Sequence, residues 1–278
     1  MPDGTRDVPV HHIAPAGGWI PIRLSELWEF RELLYAFVWR EVRVRYKQTA
    51  LGVGWAVAQP LLTMVVFSVF FGKLAGVESD GIPYPVFTYC ALLPWQLFAF
   101  ALVESSNSVV TNQRLLTKVY FPKLLLPLSA VAVALVDFTV SFGVLLLLMA
   151  WFGMTPGPAA LTVPLWALFA AMTATAASLW LSALNVRYRD IRYTVPFLTQ
   201  IWLFVTPVAY PTSLVPEIWR PLYALNPMVG VVDGFRWALV GGDWPGITVL
   251  VSAAVVVVCL VGGLIYFRRT ERTFADLV

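Results

Sequence analysis

Residues 40–71 read REVRVRYKQTALGVGWAVAQPLLTMVVFSVFF, four cations in eight positions followed by an apolar run from Leu51 to Phe71. A helix of about 20 apolar residues crosses roughly 30 Å of hydrocarbon, and cations are retained on the cytoplasmic side of a span. This stretch therefore predicts both that the chain enters a membrane and from which side. Five further apolar segments follow: Pro85 to about Val110, Leu124 to Phe152, Ala159 to Leu184, Thr194 to Tyr210, and Ile247 to Phe267. If the six cross in turn from an internal N-terminus, 16 of the 19 Lys and Arg fall inside, and only Lys73, Arg220 and Arg236 fall elsewhere. The expected architecture is an all-α integral membrane protein with six transmembrane helices and both termini cytoplasmic.

Composition agrees with lipid as the solvent: 59% of residues are hydrophobic and 13% charged, against about 25% charged in a soluble domain. Loops, an arm and one unusual region use up the remainder, which leaves one membrane domain over residues 25–278. The lead at 1–24, with His11 and His12, is rich in Pro and Gly and lacks the basic start and apolar core of a cleavable signal. Topology accounts for the net charge of +3 without nucleic acid, and anionic lipid headgroups are the natural neighbours. Cys90 and Cys259 lie within apolar segments, where thiols serve packing.

The arm from Ser25 to Gln48 carries Leu27, Phe30, Leu34, Phe37 and Val38 at helical spacing opposite Glu26, Glu29, Arg31 and Glu32, which predicts an amphipathic helix at the membrane interface. Arg40, Arg43 and Lys47 share one face and Arg45 and Tyr46 lie between them. These cations either anchor the arm to headgroups or meet a charged lipid or a cytosolic partner. In the loop TNQRLLTKVYFPK, Leu115, Leu116, Val119 and Tyr120 fall on one helical face, Arg114 and Lys118 on another, and Pro122 closes the segment. The alternatives are a connecting loop or a short helix that docks into a partner's groove.

From Tyr210 to Trp244 the chain is proline-rich yet apolar. It is too broken to span, so a re-entrant hairpin between helices five and six is expected, because non-helical backbone at membrane depth survives only against protein or water. Asn226 before Pro227 predicts a capped helix start, and the helix carries Asp233, Arg236 and Trp237. If two copies of the chain pair across a two-fold axis, Val229 and Val232 are expected to meet their symmetry mates. Two carboxylates, Glu104 and Asp137, lie in or near spans. Each serves either as a structural hydrogen-bonding group or as part of a path.

No G-x-x-x-x-G-K-[ST] loop occurs, since Gly72-Lys73 is followed by Leu74, so ATP hydrolysis by that route is excluded. Nor is there a metal-spaced His/Cys/Asp cluster or a nucleophile elbow. No catalytic, metal or cofactor residue is assigned, and the weight falls on translocation.

The stretch from Arg40 to Pro60 resembles the R-x-x-x-x-R-Y-K-x-(S/T)-x-L-G-x-x-W-x-x-x-x-P segment of permeases in polysaccharide-exporting ABC transporters. LPWQLF at 93–98, NQRLLTKVYFPKLLLPL at 112–128, NVRYRDIRY at 185–193, TPVAYP at 206–211 and LNPMVGVVDGFRWAL at 225–239 continue the likeness in order. The resemblance implies a homodimer of this subunit in the bacterial inner membrane, driven by two cytosolic ATPase subunits that bind ATP and Mg. The substrate it implies is a polyprenyl-pyrophosphate-linked polysaccharide such as O-antigen or capsule. It further implies that Asn112 to Phe121 is the ATPase-coupling helix, with Arg114, Leu115, Leu116, Lys118, Val119 and Tyr120. Arg40, Arg43, Arg45, Tyr46 and Lys47 would form the inner entrance, and Thr212 to Val240 the periplasmic gate. Trp55, Tyr210, Asn226, Asp233, Arg236 and Trp237 would then lie along the channel and that gate. Two rivals remain: a sister permease for a drug or small lipid, and an integral-membrane glycan-modifying enzyme that would depend on Asp137 and Glu104.

Overall fold

The computed structural model describes residues 24–47, 54–242 and 244–274. The lead at 1–23, Gln48, the opening residues 51–53 of the first apolar run, and 275–278 lie outside the described residues. The described residues are helical, without strands. The helices are α1 (Leu24–Glu29), α2 (Arg31–Lys47), α3 (Gly54–Phe67), α4 (Tyr84–Thr111), α5 (Gln113–Leu116), α6 (Leu125–Trp151), α7 (Val163–Arg187), α8 (Ile191–Val205), α9 (Arg220–Tyr223), α10 (Pro227–Val240) and α11 (Ile247–Thr270).

Five helical stretches are long and apolar enough to cross a membrane: Gly54–Leu74, Tyr84–Thr111, Leu125–Trp151, Pro158–Arg187 and Ile247–Thr270. The first is α3 extended by a π-helical segment, Ser68–Leu74. The fifth apolar segment of the sequence differs. Its helix, α8, has 15 residues, about 22 Å at 1.5 Å per residue, because the chain leaves helical geometry at Thr206, next to Pro207.

Helix α4 is the axis, packing against α3, α6, α7, α8 and α10. At one end of the bundle Val109, Leu124, Val186 and Phe267 form a single buried cluster, which brings together the ends of α4, α7 and α11 and the start of α6. At the other end Tyr84 donates to the Ala209 carbonyl at 2.6 Å, and Trp244 lies against Trp166 and Trp237. The chain between Arg187 and Ile247 must therefore run from one end to the other, and α8 makes that passage.

The arm does not lie free. Phe37 packs with Phe121, Leu125 and Leu126, and Arg45 reaches Asp137 twelve residues farther along α6. Helix α2 therefore runs beside α6, and its apolar face covers protein of the same chain. Helix α10 is buried along almost its whole length. Asn226 caps it as expected, accepting from the Met228 amide at 3.1 Å with Pro227 in the first turn. Val229 and Val232 are fully buried within the chain, which corrects the expectation that they meet a symmetry mate.

Polar side chains satisfy the backbone at several helix breaks. Pro60 lacks an N–H, so the Ala56 carbonyl one turn earlier loses its helical partner, and the Ser141 hydroxyl donates to it at 2.9 Å. Close approach is bought with glycine: a Cβ on Gly234 would lie 2.3 Å from the Trp166 ring, and one on Gly262 2.8 Å from the Trp180 ring, the small-residue contact that membrane helices use. Gly234→Ala should lower stability in detergent by about 1–3 kcal/mol through overpacking. Adding Trp166→Leu should recover part of the loss, as read by thermal denaturation of the two variants.

Candidate functional site

A cleft of about 590 Å³ opens between α2, α3, α4, α6 and α8. Each wall follows from a break in an apolar pattern. Gln59 on α3, Gln96 on α4 and Gln200 on α8 are amides set among apolar neighbours, and all three line the cleft with Trp55, Trp95 and Phe138. Primary amides both donate and accept hydrogen bonds, and aromatic rings offer flat apolar faces. Together these groups suit a ligand that is rich in hydroxyls and carries apolar ring faces.

Charge enters at one edge. Arg45 pairs with Asp137 at 2.8 Å and lies over the Phe100 ring at 3.9 Å. Tyr46 donates to the other oxygen of Asp137. Burial first, and the bond to Asp137 second, push the Tyr46 phenol above its ordinary pKa, so it stays a donor. The side chain of Asp137 is 19% exposed and that of Arg45 40%. A carboxylate at this depth is costly unless paired, and here both oxygens are engaged. Arg45 also lines a second cavity of about 290 Å³, with Glu41, Glu104, Ser108 and Asn112, and so stands at the boundary between the two.

The structure divides the expected inner group. Arg45 and Tyr46 meet at Asp137, a pairing that sequence spacing does not reveal across 91 residues. Arg40 instead bonds Glu41 at 2.8 Å and Asn112 at 3.0 Å, Arg43 lies over Trp39 at 5.4 Å, and Lys47 is exposed. Arg40, Arg43 and Lys47 lie along one face of the single helix α2, while Arg45 and Tyr46, on another part of its circumference, turn to Asp137.

The channel and outer-gate group divides as well. Trp55 lines the cleft, whereas Tyr210, Asn226, Asp233, Arg236 and Trp237 do not line it. Arg236 and Asp233 make no ion pair with each other among the described residues. Asp233 accepts from the Thr212 hydroxyl at 2.6 Å. Arg236 donates to the carbonyls of Val208 at 3.0 Å and Tyr210 at 3.4 Å, and lies over the Phe87 ring at 3.6 Å. Asn226 accepts from the Trp202 indole and donates to Thr206, and the hydroxyls of Tyr210 and Tyr223 meet at 2.8 Å. These residues knit the chain after α8 to α10.

The loop helix is shorter than its apolar pattern predicts. It ends at Leu116, before β-branched Thr117 and Val119 and ahead of Pro122, residues that weaken or end a helix. Leu115 and Leu116 pack on the cluster around Phe37 and Leu125, while Arg114 and Lys118 are exposed. Val119 and Tyr120, 57% and 67% exposed, carry the free apolar surface.

The Arg45–Asp137 contact has a measurable signature. Arg45→Met or Asp137→Leu alone should cost about 1–3 kcal/mol, between the values typical of exposed and buried pairs. The double variant should cost less than their sum, in a double-mutant cycle measured by thermal denaturation.

The family described as ABC-2 type transporter matches residues 32–240. The chain is 34% identical to the O-antigen export system permease protein RfbA of Myxococcus xanthus, over 92% of this chain and all of that protein. It is 28% identical to the protein of the same name from Klebsiella pneumoniae, over 89% of this chain and 95% of the relative. Identity to the polysialic acid transport protein KpsM of Escherichia coli is 24%, over 84% and 91% of the two lengths.

Proposed function

The chain belongs to the ABC-2 type transporter family, and from that membership we propose that it is the transmembrane subunit of an ATP-driven exporter that moves a polyprenyl-pyrophosphate-linked polysaccharide across the bacterial inner membrane. The observation that carries the reading is the cleft. Its wall of Trp55, Trp95, Gln59, Gln96 and Gln200 suits sugar rings and hydroxyls. Its relatives named for export of O-antigen and transport of polysialic acid handle the same class of cargo. A drug or small-lipid permease has no such support. A glycan-modifying enzyme has less support, because Asp137 is paired with Arg45 and Tyr46 and Glu104 lines the second cavity rather than the cleft.

The subunit works as a homodimer with two cytosolic ATPases that bind ATP and Mg. Helix α8 makes the sixth crossing, both termini face the cytoplasm, and Thr212 to Val240 forms a re-entrant outer gate. In support, the ends of α7 and α11 share the end of the bundle that holds Lys123, Arg187 and Arg268, as retention of cations inside requires. The ATPase contact comprises Arg114, Lys118, Val119 and Tyr120, with Leu115 and Leu116 holding that surface from behind. Arg45 and Tyr46 stand at the inner entrance.

The test is complementation in a host lacking its own O-antigen permease, with the cognate ATPase supplied. Trp55→Ala combined with Gln96→Leu should reduce surface glycan at least tenfold while the ATPase still co-purifies. Full display by that variant would remove the cleft from the path. Val119→Asp with Tyr120→Asp should abolish ATPase co-purification, since each places an unpaired charge in an apolar contact. Retained co-purification would move the docking surface elsewhere.

A further inference from the structure

At the basic end of the bundle, three segments far apart in sequence converge on two carboxylates. Arg268, near the end of α11, lies 3.5 Å from Glu26 on α1 and 3.2 Å from Glu271, with 11% of its side chain exposed. Glu271 accepts from the Lys123 amide at 3.2 Å, and its carbonyl accepts from the Lys123 ammonium at 2.6 Å. Glu26 accepts from the Tyr120 hydroxyl at 3.4 Å. Beneath them the rings of Phe267 and Phe274 meet edge to face at 5.3 Å, and Lys123 lies over Phe274 at 5.5 Å. Phe274 is fully buried, so the turn after α11 is seated in the bundle.

The position of this cluster matters more than its strength. Tyr120 and Lys123 belong to the loop between α5 and α6, whose outer surface includes exposed Val119 and Tyr120. Glu26 belongs to α1, which leads through α2 to Arg45 at the edge of the cleft. Arg268 belongs to α11. One partly buried ionic cluster therefore ties the exposed loop to the arm that carries Arg45 and to the last long helix. Packed elements joined by charge-assisted bonds move together when one is displaced.

We propose that Glu26, Arg268 and Glu271 are positioning residues for energy coupling: they transmit displacement of the Tyr120–Lys123 loop to α1–α2 and α11, and so link the ATPase to the cleft. The proposal rests on the reading of that loop as the ATPase contact. No group is transferred; the cluster acts by holding three segments in register while its outer face is pushed.

The experiment uses the full chain with its cognate ATPase in proteoliposomes loaded with a polyprenyl-diphosphate-linked glycan. ATPase co-purification, ATP hydrolysis and glycan transported per ATP are measured separately for Glu26→Gln, Arg268→Gln and the double variant. Each single change should leave co-purification intact and hydrolysis within about twofold, and should lower transport per ATP about tenfold. The double variant should lose no more than the worse single one, because paired residues are not additive. Unchanged transport per ATP overturns the relay, as does a double variant whose loss is the product of the singles. Loss of co-purification in the single variants also overturns it, since the cluster would then only shape the docking surface. Intact ATPase binding by Val119→Asp with Tyr120→Asp, measured alongside, would instead reject the loop as the contact, so the two failures are distinguishable.

Discussion

Inside an apolar bundle no water is at hand to complete a broken hydrogen bond, so every carbonyl that a helix break exposes must find its donor within the chain. This constraint orders several of the polar contacts between elements. Ser141 serves Ala56 across from Pro60, Tyr84 serves Ala209, and Ser252 serves Ala224. Arg236 is the extreme case. A guanidinium with only 8% of the residue exposed is costly to bury. It is held because it satisfies the Val208 and Tyr210 carbonyls where α8 stops, with Phe87 covering its face. The same residue thus lets α8 end early and α10 bury itself against α4.

The large features of the fold are legible in sequence because they rest on long-range averages. Runs of some twenty apolar residues and the sorting of cations predict helices and their order without knowledge of any neighbour, and five of the six segments contain helices of spanning length. The shortened α8 and the upright arm are not legible in the same way. The pattern of Leu27, Phe30, Leu34 and Phe37 announces an apolar face but not what covers it. Lipid and the Phe121–Leu126 surface satisfy such a face equally, and the choice is made by tertiary packing. The loop helix fails for a local reason: the apolar spacing of Leu115 through Tyr120 is helical, yet Thr117, Val119 and Pro122 oppose continuing the helix.

The site was half legible. Asp137, Arg45, Tyr46 and Trp55 each stand out as residues, but pairing across 91 positions is a property of three dimensions. The three glutamines are inconspicuous in sequence because an amide carries no charge to mark it in an apolar run. Their signal was present all the same: Gln59, Gln96 and Gln200 each interrupt a different apolar segment, and side chains that are expensive in hydrocarbon tend to face a common interior.

The cleft combines these cases into one electrostatic statement. Among the described residues that line it, the one cation and the one carboxylate, Arg45 and Asp137, pair at 2.8 Å, and the rest of its polar wall is amides, hydroxyls and indoles. A wall without net charge neither traps nor repels a neutral sugar chain, and amides spaced among rings give many equivalent weak contacts rather than one strong one. On the proposed reading of the cleft as the path, conduction of a polymer demands that balance, because a deep binding site would stall the chain at each repeat. Outside the cleft, Arg40, Arg114 and Lys118 stand exposed at the basic end of the bundle. There such charge can order the protein across the membrane and meet partners without acting on the cargo in transit.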